Sequence, residues 1–228
     1  MLPIRDDAPR STVPFVNYFL IALNVAVFLF QMSLSSRELA GFAFTFGLVP
    51  ARVDAWFAGT VPAASALVPF FTAMFLHAGW WHLISNVWFL VIFGDNVEDH
   101  LGHFRYLFFY MTAGLVANLV HLFFNLHSPV IAVGASGAIA GVMGAYFLLF
   151  PSARVLTWFI FFVFWLPAWL VLGYWFVVQF LSGAATALSN SPQATGGVAV
   201  WAHVGGFICG MILIKLLPAR QQAFSYQA

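Results

Sequence analysis

The chain has 228 residues, of which 63% are hydrophobic and only 7% are charged, and its mean hydropathy is +0.95. Soluble domains carry about 25% charged residues, so this chain cannot cover itself with a water-facing surface. Its formal net charge of +1 gives no indication of a nucleic-acid partner, and its single cysteine, Cys209, excludes an intrachain disulfide framework. We therefore expect an integral membrane protein.

The few charged residues separate apolar stretches that are long enough to cross a bilayer, which takes about 20 residues. The pattern predicts an all-α polytopic bundle with six spans, at roughly 14–34, 79–94, 104–124, 135–150, 155–181 and 198–217. Residues 1–13 and 218–228 are expected to be tails. A long outer loop, about 35–78, is rich in aromatic residues and is expected to lie partly in the membrane interface.

Lysine and arginine are concentrated on the side of the membrane that holds the N-terminus. That side carries Arg5, Arg10, Arg105, Arg154, Lys215 and Arg220, and the other side carries Arg37 and Arg52. Because positive residues favour the cytoplasmic side, both termini are predicted to be cytoplasmic. We expect the protein to lie in a bacterial plasma membrane.

Four polar side chains fall inside the predicted spans, where they are costly and therefore indicate function. His82 and Asn86 are spaced i, i+4 on one face of span two. Ser136 opens span four, and His203 lies about six residues into span six, roughly 9 Å below its outer end. The three spans run in the same direction, so these sequence-distant groups share the outer half of the bilayer.

Ser136 and His203 have the chemistry of a nucleophile and its base. A serine hydroxyl becomes reactive when a neighbouring base takes its proton, and neutral histidine is the usual base. Attack on a carbonyl creates an oxyanion, for which the Ser136 backbone N–H, the Asn86 amide and the His82 ring are candidate donors. The nearest acids, from Asp95 onward, lie at the inner end of span two. The sequence therefore predicts a Ser–His dyad rather than a triad.

Small residues around Ser136 indicate close helix packing. Gly134 and Gly137 flank the serine and permit an unusual turn. Spans four and six each carry a GxxxG pair: Gly137 with Gly141, and Gly206 with Gly210. Facing small residues would let the two spans touch and would bring the histidine to the serine, although GxxxG occurs in membrane helices of every function.

Four segments match the motifs of a known family. They are HAGWWHLISN (77–86), GDNVEDHLG (94–102), GASGAIAG (134–141) and AHVGG (202–206). In this order they resemble the rhomboid intramembrane serine proteases, over nearly the whole chain. The resemblance implies a six-helix protease domain over residues 14–217, with no cofactor and no metal. The implied substrate is a transmembrane helix of another protein, cut near its outer end.

The resemblance also implies a role for each matching residue. Ser136 is the nucleophile, His203 is the general base, and the oxyanion-hole donors are His82 and Asn86. Structural roles are implied for His77 in the first outer loop and for Glu98 at the inner end of span two.

Two departures from the family pattern bear on the site. Many rhomboids carry a Trp–Arg pair in the first loop, and here Arg52 and Trp56 are the nearest residues. Some bacterial members place a tyrosine that stacks on the base where this chain has Ala140, so His203 must be oriented from elsewhere. Span five is overlong and bulky, and either it or the following loop, 182–197, is expected to move aside to admit a substrate.

Other functions remain to be weighed. Each polar residue alone has an ordinary structural interpretation, such as a packing serine or a helix-bracing histidine. The alternative function is a catalytically silent rhomboid-like protein that binds or escorts membrane clients, but such proteins usually lack the Ser–His pair.

Three other classes of membrane protein have sequence features of their own. A transporter would show repeated halves and paired midplane charges, and a zinc protease would show HExxH. An aspartyl protease would need a second intramembrane aspartate. The sequence has none of these features, and it does not indicate an oligomeric state.

Overall fold

Ten α-helices and three strands make up the part of the chain that the computed structural model describes, residues 1–188 and 199–220. In chain order they are β1 (Leu2–Asp6), α1 (Phe15–Ser33), α2 (Ser36–Phe46), α3 (Pro50–Phe57), α4 (Ala63–Leu67), α5 (Pro69–Thr72) with a 3-10 turn (Ala73–Phe75), α6 (Trp80–Leu101), α7 (His103–Phe124), α8 (Ser136–Leu149), β2 (Arg154–Phe159), β3 (Phe162–Pro167), α9 (Ala168–Leu188) and α10 (Val200–Leu216).

The long helices form a membrane-type bundle around α8. Within the described residues, α1, α7 and most of α9 are long and apolar enough to cross a membrane, and a bent pair, Ala63–Phe75 with α6, would be a fourth span. α8 and α10 are also apolar but shorter, with 14 and 17 residues. All residues of α8 from 137 to 146 are buried, with α10, α7 and α6 packed around them. The core therefore surrounds the helix that Ser136 opens.

α6 continues past Gly94, where the second span was predicted to end, as far as Leu101. The predicted end of the helix at Gly94 was wrong because the acids from Asp95 onward remain in the helix and are neutralised or hydrogen-bonded by groups elsewhere in the chain. Arg10, for example, donates to the Asp95 carboxylate at 2.9 Å. The helix ends at Gly102, whose φ of +78° is a backbone conformation that favours glycine.

Glu98, in the last turn of α6, caps the start of α1. Its fully buried carboxylate accepts hydrogen bonds from the backbone N–H groups of Val16, at 2.9 Å, and Asn17, at 2.6 Å. The N-terminal N–H groups of a helix lack partners in that helix and attract negative charge. The carboxylate also contacts His103 Nδ1 at 2.5 Å, so Glu98 ties α1, α6 and α7 together at one end of the bundle.

The first part of the predicted fifth span is a β-hairpin rather than a helix. Residues 154–167 form β2 and β3, which pair antiparallel, so the all-α prediction and the helix at 155–181 are wrong here. The segment is rich in β-branched and aromatic residues, which favour strands, and Val155 and Thr157 are buried with exposed or half-buried neighbours on either side. A continuous apolar run does not by itself distinguish a strand from a helix.

α9 consequently begins later and ends later than the sequence suggested. It begins directly after Pro167 and runs to Leu188, so residues 182–188 are helical and not part of a loop. The rest of the predicted loop, 189–197, lies outside the described residues, as do residues 221–228 of the predicted C-terminal tail.

The N-terminal segment contains a strand instead of a free tail. β1 pairs antiparallel with β2, with Pro3 opposite Thr157. The Asp6 carboxylate accepts a hydrogen bond from the Tyr146 hydroxyl on α8, and Arg154 Nε donates to Asp7 at 2.7 Å. Burial raises the pKa of Asp6, whereas the hydrogen bonds from Arg154 lower the pKa of Asp7. Residues 1–13 were predicted to be a tail because their charges interrupt the apolar pattern. In the structure the carboxylates of Asp6 and Asp7 are hydrogen-bonded to α8 and to β2.

Arg52 holds the first outer loop together. Its guanidinium is largely buried, lies 4.2 Å from the centroid of the Phe44 ring, and donates to the carbonyl of Phe44 in the last turn of α2. It also donates to the carbonyl of Ser65 at 3.2 Å. The last carbonyls of a helix lack partners in that helix and attract positive charge, so Arg52 links α2, α3 and α4.

The same loop supports the segment that leads into α8. Leu48 and Ala132 exchange two backbone hydrogen bonds, of 3.0 and 2.8 Å. Two residues later the Gly134 N–H donates to the carbonyl of Ala73 at 2.8 Å. These backbone contacts fix the approach to Ser136 from outside its own helix.

Candidate active site

The structure places Ser136 and His203 in direct contact. Ser136 is the first residue of α8, and His203 lies in the first turn of α10. The serine Oγ is 2.7 Å from His203 Nε2, although the two residues are 67 positions apart in the chain. His203 is only 8% exposed. A hydroxyl and an imidazole at this distance form the nucleophile–base pair that acyl transfer requires.

Glycines between α8 and α10 make this contact possible. A Cβ added to Gly206 would overlap the carbonyl oxygen of Gly137, and a Cβ added to Gly210 would overlap that of Gly141. The two GxxxG pairs therefore face each other across the helix interface. Their backbones touch, as small-residue packing in membranes allows.

His203 has a second partner, which was not predicted from the sequence. His203 Nδ1 is 2.8 Å from Gln179 Oε1 on α9. The Trp175 ring, also on α9, lies 5.7 Å from the imidazole centroid at an angle of 39°. Ala140 offers no aromatic group to the imidazole, and these two side chains of α9 contact it instead. An amide in an apolar span is a signal that sequence can show, but Gln179 was not among the predicted site residues.

His82 is placed to donate a hydrogen bond at the same site. Its Nδ1 accepts the backbone N–H of Ala78 at 3.3 Å, so in the neutral ring the proton is on Nε2. Nε2 lies so close to Gly134 that a Cβ there would be 2.6 Å away. Gly134 also has a φ of +132°, so both its backbone conformation and the nearby ring require glycine.

Asn86 and the start of α8 supply further donors. Asn86 Nδ2 is buried and has no hydrogen-bond partner among the described residues. The backbone N–H of Ser136 is the first of its helix, so no carbonyl of α8 can accept from it, and this helix end favours negative charge. The arrangement thus offers up to three donors next to the serine hydroxyl.

A cavity of about 520 Å³ opens onto these groups. Its polar lining includes Ser136, His203, His82 and Asn86. The rest of the lining is mainly apolar and includes Trp81, Phe89, Ile139, Met143 and Trp175. A cavity of this size and polarity suits a short apolar peptide segment.

His77 packs behind the donors and not in the cavity. It is 2% exposed, and its ring lies edge-on to His82 with centroids 5.1 Å apart. Its backbone N–H donates to Gln31 Oε1 at 3.0 Å, and its carbonyl accepts from Gln31 Nε2 at 3.2 Å. The link from this loop to α1 therefore runs through the backbone of His77, while its ring supports His82.

A family profile described as the Rhomboid domain matches residues 64–220, more than half of the chain. The chain belongs to the rhomboid family. The rhomboid match covers α6 to α10 and so includes Ser136, His203, His82, Asn86 and Gln179. β1, α1 and the first helices of the outer loop precede it.

Several named relatives are similar to this rhomboid protein over part of their length. Rhomboid-like protein 11, chloroplastic, of Arabidopsis thaliana is 33% identical over 65% of this chain and 51% of its own length. Rhomboid protein 1, mitochondrial, of Saccharomyces cerevisiae is 32% identical over 60% of this chain and 38% of its own. The Bacillus subtilis protein YdcA, named as a candidate rhomboid protease, is 35% identical over 34% of this chain and 39% of its own. The chain thus spans about half or less of these relatives.

Proposed function

We propose that this rhomboid protein is an intramembrane serine endopeptidase that cleaves transmembrane segments of other membrane proteins. The observation that carries the proposal is the 2.7 Å contact between Ser136 Oγ and His203 Nε2. A purely packing serine has no need of an imidazole acceptor at the wall of a cavity. Membership of a family that includes a named candidate protease, YdcA, supports the same conclusion.

The proposed reaction begins with proton transfer from Ser136 to His203. As Nε2 takes the hydroxyl proton, Oγ forms a bond to the scissile carbonyl carbon. The π bond of that carbonyl breaks, and its electron pair makes the carbonyl oxygen an oxyanion. The His82 Nε2–H, the Asn86 amide and the Ser136 backbone N–H stabilise that charge. His203 then gives its proton to the departing amine, which leaves an ester on Ser136. Water, activated by the same base, hydrolyses the ester and restores the serine.

The proposed topology has six spans, with both termini on the cytoplasmic side. α1, α7, α9 and the bent pair that ends in α6 are long enough for four spans, and the shorter apolar helices α8 and α10 supply the other two in this proposal. The excess of lysine and arginine on one side supports the orientation. Short helices such as α8 suit the proposal because they leave Ser136 below the membrane surface. The bacterial plasma membrane stays a prediction, since the relatives come from organelles as well as from a bacterium.

The alternative is a catalytically silent protein that binds or escorts membrane clients. Relatives whose names read rhomboid-like, without the word protease, leave room for it. The aligned hydroxyl and imidazole argue for the enzyme, because a client-binding protein would not need that pair.

The decisive experiment compares the protein with its Ser136→Ala variant on a single-span reporter protein in liposomes. We expect cleavage by the unchanged protein and by Ser33→Ala, a control serine exposed at the end of α1. Ser136→Ala should show none above background. Equal cleavage by the unchanged protein and Ser136→Ala, or no cleavage of any transmembrane reporter, would contradict the proposal.

A further inference from the structure

The general base of the proposed dyad is held by a neutral amide from a helix outside the pair. His203 Nδ1 meets Gln179 Oε1 at 2.8 Å. The three acids of α6, Asp95, Glu98 and Asp99, have their partners at the far end of the bundle, in the N-terminal segment and α1. Gln179 therefore occupies the place that a carboxylate takes in a triad.

The direction of this hydrogen bond decides which nitrogen of His203 is the base. A neutral imidazole has one N–H and one lone pair. When Gln179 Oε1 accepts from Nδ1–H, the lone pair is on Nε2, which is the atom that faces Ser136 Oγ. The opposite tautomer would put a proton on Nε2 and leave no acceptor for the serine hydroxyl. An acceptor at Nδ1 thus selects the reactive form, the role that the aspartate plays in serine proteases.

Two residues on one face of α9 confine the same ring. Trp175 and Gln179 are spaced i, i+4, which places them together on a helix surface. Trp175 flanks the imidazole and contacts Phe207, one turn after His203 on α10. Trp175 therefore restricts the orientation of the imidazole ring, and Gln179 determines which of its nitrogens carries the proton.

We propose that Gln179 is a positioning residue for the base, and that His203 is aligned only while α9 is packed against α10. This inference rests on the proposed protease function and adds a control point to it. The alignment of His203 therefore depends on the contact between α9 and α10, through the hydrogen bond between Gln179 and Nδ1.

Three variants on α9 test the proposal on a single-span reporter in liposomes. Gln179→Met keeps the side-chain volume but removes the acceptor, and we expect kcat to fall about tenfold, the rate equivalent of one hydrogen bond. KM should stay within about twofold. Gln179→Glu retains an acceptor and should keep most of the activity. Ser182→Ala, which removes only a bond within α9 to the carbonyl of Val178, is the matched control and should match the unchanged protein.

The pH profile separates positioning from simple packing. With a carboxylate at 179, the imidazolium form of His203 is stabilised, so the acidic limb of kcat/KM should move to higher pH by about one unit. His82 on α6 and His121 on α7 also act electrostatically on His203. They are unchanged in all variants, so their contribution cancels in the comparison.

Each outcome decides one point. Unchanged kcat in Gln179→Met, or an acidic limb that does not move in Gln179→Glu, overturns the positioning role. If Gln179→Met fails to fold, as judged by its thermal unfolding in detergent, Gln179→Glu still tests the role through its pH profile. Cleavage that is lost in Ser136→Ala but insensitive to residue 179 would leave the protease function intact and remove only this inference.

Discussion

Gly206 on α10 lies against the backbone carbonyl of Gly137 on α8, with no room for a methyl group between them. The contact is one residue away from Ser136 and one turn away from His203. The distance between the two helices and the distance between Ser136 Oγ and His203 Nε2 are therefore set by the same glycines.

Gly206→Ala should separate the helices and disable the site. A methyl group would overlap backbone atoms, which cannot rotate away, and overpacking of this kind costs about 1–3 kcal/mol. A displacement of about 1 Å at the Ser136–His203 contact should lower kcat about 100-fold. Reporter cleavage and thermal unfolding in detergent measure the two effects.

Gly41→Ala is the matched control for that variant. Gly41 lies in α2 with nothing within 4 Å of the added methyl group, and alanine favours a helix over glycine by about 1 kcal/mol. It should stabilise the protein slightly and leave cleavage unchanged. Equal activity of the two glycine variants would show that close packing of α8 and α10 is not required.

His82→Ala should reduce kcat while the protein stays folded. In the proposed mechanism His82 is one of the oxyanion donors, and removal of one such donor typically costs about 10²–10³ in kcat. The Ala78 N–H at Nδ1 leaves the ring proton on Nε2. His127→Ala, at an exposed residue that contacts Asp54, should have full activity. A loss in His127→Ala equal to that in His82→Ala would point to a general effect on folding.

Glu98→Ala should destabilise the bundle without touching the site. The change leaves the N–H groups of Val16 and Asn17 without an acceptor in a buried setting, and loss of hydrogen bonds to a charged group costs about 1.5–3 kcal/mol. The melting temperature in detergent should fall. Glu38→Gln, on the exposed start of α2, should leave it nearly unchanged, and the opposite ranking would contradict the capping role.

The sheet should weaken as pH rises, through Asp6. Burial raises the pKa of Asp6 above its ordinary 3.8, so the folded state holds this proton more tightly than the unfolded state. The free energy of unfolding therefore decreases as pH rises from 3.8 through the raised value. Asp7, whose pKa is lowered by Arg154, has the opposite slope and loses its contribution as pH falls.

The Asp6→Asn variant tests whether Asp6 causes this pH dependence. Asparagine still accepts the Tyr146 hydroxyl but does not titrate, so amide hydrogen exchange in Leu2–Asp6 should no longer speed up with pH beyond the intrinsic chemical rate. Asp7 is present in both proteins, so their difference reports the titration of Asp6 together with its electrostatic effect on its neighbours Asp7 and Asp95. Identical pH dependence of protection in both would exclude Asp6 as its source.

Sequence reasoning located the spans best where apolar residues alone define them. α1 and α7 begin and end within one residue of the predicted 14–34 and 104–124, since lipid contact depends on hydropathy. The predicted helix end was wrong at α6, because the charges in its last turns are neutralised by partners in a distant part of the chain. Sequence reasoning also failed in the hairpin, since hydropathy is alike for a strand and a helix.

The site was predictable in part for the same reason. Polar residues in apolar spans stand out, which drew attention to Ser136 and His203. Gln179 carries the same kind of signal, because it is an amide in an apolar segment, but it was not among the predicted site residues. Its position beside His203 depends on the packing of α9 against α10, which no local sequence pattern shows.

The sheet has a consequence for the order in which the chain assembles during synthesis. β1 precedes α1, whereas its partner β2 follows α8, so four bundle helices separate the two strands in the chain. Strand pairing over so long a separation is slow compared with local helix formation. β1 can therefore pair with β2 only when α1, α6, α7 and α8 have been made, and α9 follows the hairpin directly.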